Sequence, residues 1–188
     1  FFNNKLFRGN RTTKVHADGL DAFSSPNYPL LIEAGINIQI KEGKIKKTPL
    51  QSLKVSQITH QPIGVVMLYP GITPCILENI IQQPVNALIL LTYGVGNAPQ
   101  NTILHDCLKR ANDRGIIIVN STQCLQGKVN MGGYATGNAL AKAGVISGFD
   151  MTTEATLSKL HFLLSKNSNS DEIKTAMQKN LIGELTEA

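Results

Sequence analysis

From residue 62 onward, short unbroken apolar runs alternate with stretches whose apolar positions recur every three to four residues. "IGVVMLYPG" (63–71), "VNALILLTYG" (85–94) and "IIIVNS" (116–121) read as three buried strands. Between the first two, "TPCILENIIQQ" (73–83) places Ile76, Leu77, Ile80 and Ile81 on one helical face, with Thr73 as N-cap and Pro74 at the first helical position. Between the second and third, "QNTILHDCLKRANDRG" (100–115) does the same with Ile103, Leu104, Cys107, Leu108 and Ala111, and Gly115 stops it. The order βαβαβ with near-continuous apolar strands predicts an α/β fold around a parallel sheet covered on both faces. A glycine-rich segment (127–148) follows, with a short helix expected around 138–143. Two further helices are expected. One lies near 153–165 and turns Leu157, Leu160 and Leu164 inward; the other lies near 171–179 and is capped by Ser170.

The first 60 residues lack this rhythm. "FFNNKLF" (1–7) alternates loosely as a strand, residues 8–29 form a long polar loop closed by Pro26 and Pro29, and "INIQI" (36–40) is a short strand. Residues 42–61 read as a linker between two domains, 1–41 and 62–188.

Composition narrows the class. At 42% apolar residues the chain is ordinary for a globular protein, and no apolar run approaches the roughly 20 residues of a membrane span. The net charge of +5 is carried by residues 1–60, with nine Lys and Arg against four Asp and Glu; the remaining residues balance at nine against nine. The basic run "KEGKIKK" (41–47) has no interleaved aromatics, and the chain has no Trp, so a solvated linker is favoured over a nucleic-acid surface. Cys75, Cys107 and Cys124 are odd in number and far apart, which argues against a disulfide framework or zinc site and fits a reducing compartment.

In an open parallel sheet, ligands collect beyond the carboxyl ends of the strands. Those ends run into "YPG" (69–71), "TYGVGNAPQN" (92–101) and "NSTQCLQG" (120–127). "GVGNAP" (94–99) is not a dinucleotide fingerprint: no third glycine follows at the required spacing, and no acidic residue about 20 positions on. Asn97 is then a turn residue or a hydrogen-bonding group at a rim. Cys124 has no histidine near it in sequence and reads by default as a small apolar filler rather than a nucleophile. The four histidines show no metal spacing; His105 and His161 read as surface or boundary residues. The loop "RGNRTTKVHADGLDAFSSPN" (8–27) is the densest polar stretch. Its Lys14, beside Thr12 and Thr13, is a catalytic or phosphate-binding group or a salt-bridged surface lysine.

"FFNNKLFRGNRTTKVHADGLDAFSSPN", "QPIGVV", "YGVGNAPQN", "KVNMGGYATGNALAKAGVI" and "DMTTEATLSKLH" together resemble the later part of bacterial type I (cytoplasmic) L-asparaginases, in matching order over nearly the whole chain. The resemblance implies an asparaginase-like α/β fold: 1–41 as the end of a larger N-terminal domain, 42–61 as linker and 62–188 as the C-terminal domain. It implies hydrolysis of L-asparagine to aspartate and ammonia through a threonine acyl-enzyme, without cofactor or metal, in a cytoplasmic homo-oligomer with no nucleic-acid or membrane partner.

The family's nucleophilic Thr-Gly-Gly-Thr-type and Gly-Thr-Asp-Thr-type segments do not occur in these 188 residues. The resemblance implies that Phe1 matches a position inside the N-terminal domain, and these residues alone are expected to be inactive. Lys14 matches the family's relay lysine. Activating a threonine hydroxyl requires such a proton acceptor with a tuned pKa. Arg8, Arg11 and Asp18 would shape its loop. Asn97 matches a group that completes a neighbouring subunit's site. Thr13, Thr122 and Cys124 match positions of an allosteric asparagine site, where Leu91 replaces an expected arginine that could pair with a carboxylate. Two alternatives remain: a non-catalytic product that binds intact asparaginase, and the asparaginase-like amidase subunit of a tRNA amidotransferase.

Overall fold

The computed structural model describes residues 1–41, 52, 54–82, 84–132, 135–166 and 169–187. Most of the expected linker, including residues 42–47 of the basic run, lies outside them. The N-terminal segment is built of very short pieces: β1 (Lys5–Leu6), a 3-10 turn (Gly9–Arg11), β2 (Thr13–Lys14), β3 (Phe23–Ser24), β4 (Ile32–Ala34) and β5 (Ile38–Ile40). β1, β4 and β5 form one antiparallel sheet, and β2 pairs with β3 in a separate hairpin. The strand expected over 1–7 shrinks to two residues. Asn3 and Asn4 take φ of 45° and 59°, and Phe2 and Lys5 exchange backbone hydrogen bonds at 2.9 and 3.0 Å. The left-handed region favours Asn over most residues, so "NN" makes a turn that ends the alternation. The expected long loop 8–29 contains the β2–β3 hairpin, which is too short to leave a period-2 signal.

The second part follows the expected order: β6 (Ile63–Met67), α1 (Pro74–Gln82), β7 (Ala87–Thr92), α2 (Thr102–Asp113), β8 (Ile117–Thr122), α3 (Ala135–Lys142), β9 (Ile146–Ser147), α4 (Thr153–Lys166) and α5 (Ser170–Met177). Strands β6, β7, β8 and β9 are all parallel, in that order. Side chains on a strand alternate between faces, and here both faces are covered. Leu88, Leu90 and Ile118 pack with Leu77, Ile81, Leu104 and Leu108 of α1 and α2. Ala87, Ile89, Ile117 and Val119 pack with Leu160, Leu163, Ile173 and Met177 of α4 and α5.

Several details differ from expectation. Ile103 is 59% exposed and Ile76 37% exposed, because each lies on the flank of its helix beyond the stripe that meets the sheet. On α4, Leu157 and Leu164 are only half-buried; Leu160 and Leu163 go inward, together with Lys159. The cap of α5 is Asn169, not Ser170: its side-chain oxygen accepts from the backbone N–H groups of Asp171 and Glu172 at 2.9 and 3.3 Å. β9 is additional to the expected strands, since two residues at the end of a glycine-rich stretch make no apolar run. Among the described residues no helix is long and apolar enough to cross a membrane.

Candidate functional site

Beyond the carboxyl ends of β6, β7 and β8, the sheet meets the N-terminal hairpin in a cavity of about 190 Å³. The strand ends contribute Met67, Leu91 and Thr122, and the turn after β8 Cys124 and Leu125; Thr13 comes from the hairpin and Asn27 from the segment after it; residues 151–153, at the start of α4, close it. Three of the sequence-derived candidates, Thr13, Thr122 and Cys124, thus converge, and so does Leu91. Among the described residues none of the lining side chains is charged. The Thr13 hydroxyl donates to Glu154 Oε1 at 2.6 Å, which ties the hairpin to the first turn of α4. The Thr122 hydroxyl donates to Gly94 O at 2.5 Å and accepts from the Cys124 N–H at 3.0 Å, so it shapes the turn after β8. Cys124 is exposed.

Lys14 follows Thr13 on β2 but does not line that cavity. It is exposed, and its ammonium lies 5.9 Å from the centre of the Phe23 ring, the residue paired with it across the hairpin. Phe23 packs edge-on against Phe2 at 5.1 Å. Asn97 is half-buried in the loop after β7, where its backbone exchanges hydrogen bonds with Tyr93 at 2.8 and 2.9 Å. The two glycines before it serve that turn: Gly94 and Gly96 have φ of 48° and 109°, and a Cβ on Gly96 would come within 2.8 Å of Val129. The loop is braced from below by Asn120, fully buried, whose amide donates to Gly96 O at 3.0 Å and whose oxygen accepts from Thr92 at 2.6 Å. Asn97, like Lys14, stands outside the cavity that gathers Thr13, Thr122 and Cys124.

The residues that hold this arrangement are mostly ones the sequence did not single out. Arg11 is 1% exposed. Its guanidinium pairs with Asp150 through both carboxylate oxygens, at 3.1 and 2.6 Å. Burial works against the Asp150 carboxylate, but hydrogen bonds from Arg11 and Thr186 outweigh it and hold its pKa below the ordinary range. A second buried pair, Lys159 with Glu184 at 2.6 Å, lies under the C-terminal turn. Burial pulls Lys159 below the usual lysine range, an effect Glu184 offsets only in part. Burial also opposes charge on Glu184, yet Lys159 and the N–H groups of Leu181 and Ile182 hold its pKa down to about 2. Arg11 and Asp150 are 139 positions apart, and no local pattern links such residues.

His161 is half-buried and accepts from the Gln61 N–H at 3.3 Å. Among the described residues no group of three or more His, Cys, Asp or Glu is arranged to hold a metal ion.

Comparison with known proteins accounts for both parts of the chain. Residues 62–177 match the glutaminase/asparaginase C-terminal domain, and residues 1–46 match the N-terminal domain of asparaginase. L-asparaginase 1 of Escherichia coli K12 is 61% identical over 186 residues, covering 99% of this chain and 55% of that protein. The crystal structure of L-asparaginase I from Vibrio cholerae superposes with a TM-score of 0.94 at 61% identity, covering 99% of this chain and 56% of that one. Relatives with other names are more distant. The human 60 kDa lysophospholipase is 43% identical over 99% of this chain and 33% of its own length. A glutamyl-tRNA(Gln) amidotransferase subunit of Methanobrevibacter smithii is 33% identical over 97% of this chain and 42% of its own length. The chain spans about half the length of the L-asparaginases it matches. By its domain matches and its fold, the chain belongs to the glutaminase/asparaginase family.

Proposed function

We propose that this polypeptide forms part of an L-asparaginase, which hydrolyses L-asparagine to L-aspartate and ammonia. The observation that carries this is the 61% identity to L-asparaginase 1 over 186 residues, against 43% and 33% for relatives with other names. In this reading Lys14 is the proton-relay lysine. It accepts the proton of an attacking threonine hydroxyl and returns it to the departing ammonia, with no metal or cofactor in the step. The threonine belongs to a part of the protein other than these residues. An exposed ammonium on a hairpin tied down at its base suits a group that works against another surface.

Asn97 completes the substrate rim of a neighbouring subunit, which makes the working protein a homo-oligomer, and the enzyme acts in the cytoplasm. The cavity of Thr13, Thr122 and Cys124 is the counterpart of the family's effector site. With leucine at position 91 and no charged lining, it offers an amino-acid carboxylate no cation. Asparagine is thus turned over without being sensed through this cavity.

The test is ammonia release from asparagine and from glutamine by the full-length product of the gene. Asparagine is the preferred substrate, and Lys14→Met lowers kcat about 10²–10⁴-fold, the usual worth of a positioned acid–base group. Wild-type turnover in Lys14→Met would refute the relay assignment, and absence of ammonia release from either amide would refute the activity.

A further inference from the structure

The hairpin that carries Lys14 cannot hold its own position. It has two residues per strand, and its pairing continues only through Val15 N–H to Ala22 O at 2.8 Å and His16 N–H to the same oxygen at 3.3 Å. Two-stranded hairpins of this size are marginal in water. Lys14 and Phe23 are exposed and Ala22 is the one buried residue of the hairpin, so burial adds little.

Besides the Thr13 hydroxyl's bond to Glu154 at 2.6 Å, what holds it is at the base. Arg11 Nη2 donates to Asn27 O at 2.9 Å, joining the residue before the hairpin to a residue after it. The same guanidinium grips Asp150 with both forks and donates to Glu184 O at 2.8 Å and Thr186 Oγ1 at 3.0 Å. The Asn27 amide in turn donates to Asp150 O at 3.2 Å. Asp150 itself is fixed to the sheet: the turn before it is pinned by Gly148 N–H to Asn120 O at 2.8 Å, and its carboxylate accepts from the Thr186 N–H at 2.8 Å. The chain of contacts therefore runs from β8 through the 148–150 turn to Asp150, then to Arg11, and Lys14 follows three residues later.

We propose that Arg11 and Asp150 are the positioning residues for Lys14: a buried, two-pronged clamp that fixes the relay hairpin on the parallel-sheet unit. A fork-to-carboxylate pair sets orientation as well as distance, which a lysine point charge does not. Proton relays are sensitive to such placement, and a displacement of about 1 Å can cost about 100-fold in rate. The proposal rests on Lys14 being the relay lysine.

The experiment measures kcat, KM and thermal midpoint of the full-length protein in four variants. In Asp150→Asn and Arg11→Lys, which keep size or charge but lose the charged fork, kcat falls about 10–100-fold while KM stays within about threefold. The double variant Arg11→Met/Asp150→Leu replaces the pair with apolar side chains, an exchange that often restores stability. Its thermal midpoint returns toward wild type and its kcat does not. If kcat recovers together with the midpoint, or if the single variants turn over at the wild-type rate per folded molecule, the pair is merely structural and the proposal is overturned. Lys14→Met separates the two claims. Wild-type turnover there removes the relay lysine and the clamp's role with it; loss of turnover there, with wild-type turnover in Asp150→Asn, overturns the clamp alone.

Discussion

The two parts of this chain are held together by opposite means. The parallel-sheet unit is assembled from apolar strands: Leu88, Ile89 and Leu90 are all fully buried in β7, and Ile118 and Val119 in β8. The N-terminal segment has strands of two or three residues, with Ile36, Ile38 and Ile40 exposed, and its best-buried side chain is a charged one, Arg11. Hydrophobic burial is non-directional and tolerates small shifts, whereas a two-pronged ion pair is directional. The sheet unit is therefore suited to supply stability, and the hairpin to supply placement.

The largest expected effect tests the first half of that contrast. Leu88→Ala in the middle of β7 removes a fully buried side chain from the α1/α2 face. It should destabilise the protein by about 4 kcal/mol, the range for such truncations in a tight core, read as a shift in the denaturant midpoint at unchanged slope. A cost below about 1 kcal/mol would mean that the sheet unit is not where stability resides.

The next effect lies in the buried ion pair under the C-terminal turn, and its signature is pH dependence. Glu184 has a folded-state pKa of about 2 against an ordinary 4.5. A carboxyl whose pKa is depressed on folding adds stability that is present above its unfolded pKa and lost as pH falls toward the folded one. Wild type should thus lose about 3 kcal/mol between pH 4.5 and 2 from this group. Lys159→Met removes the cation from a carboxylate only 4% exposed and leaves it the N–H groups of Leu181 and Ile182. Its pKa then rises from about 2, so stability at neutral pH drops by about 3 kcal/mol and less is lost on acidification than in wild type. Denaturation curves from pH 7 to 2 read the flattened slope directly; an acid loss in the variant as large as in wild type would show that Lys159 does not hold the Glu184 carboxyl down.

The same contrast explains what could be read from the sequence. The sheet unit was legible because long apolar runs and helical stripes leave periodic patterns, and every strand of three or more residues after position 62 was expected. The α/β class followed from them. The N-terminal pairing was not legible: β2 and β3 span two residues each, and two consecutive asparagines in the left-handed region cut β1 short. Of the candidate site, the resemblance supplied Thr13, Thr122 and Cys124, which the fold gathers at one cavity. It offered nothing for Asp150 or Glu184, whose partners lie 139 and 25 positions away. Lys159 was hidden for another reason: a lysine within a helical stripe reads as solvent-facing, and only its acceptors, Met177 O at 2.9 Å and Lys179 O at 2.5 Å beside Glu184, make its burial tolerable.

The smallest expected effect concerns one residue of helix register. Ser170, followed by Asp171 and Glu172, reads as an N-cap, yet Asn169 takes the role. Its φ and ψ of −85° and 118° are extended, as a cap requires, and its side-chain oxygen satisfies two N–H groups that the first turn leaves without helical partners. Ser170 is already inside the helix as its first residue, where its hydroxyl cannot serve those donors. Asn169→Ala should therefore cost about 1 kcal/mol, and Ser170→Ala a few tenths or less, since alanine is the better helix former. Because Ile173 and Met177 of α5 are buried against the sheet at 2% and 0% exposure, fraying of this turn reaches the core, and the loss appears as a lower thermal midpoint of the whole protein. Equal costs at the two positions, or a larger one at Ser170, would move the start of α5 by one residue, to a cap at Ser170.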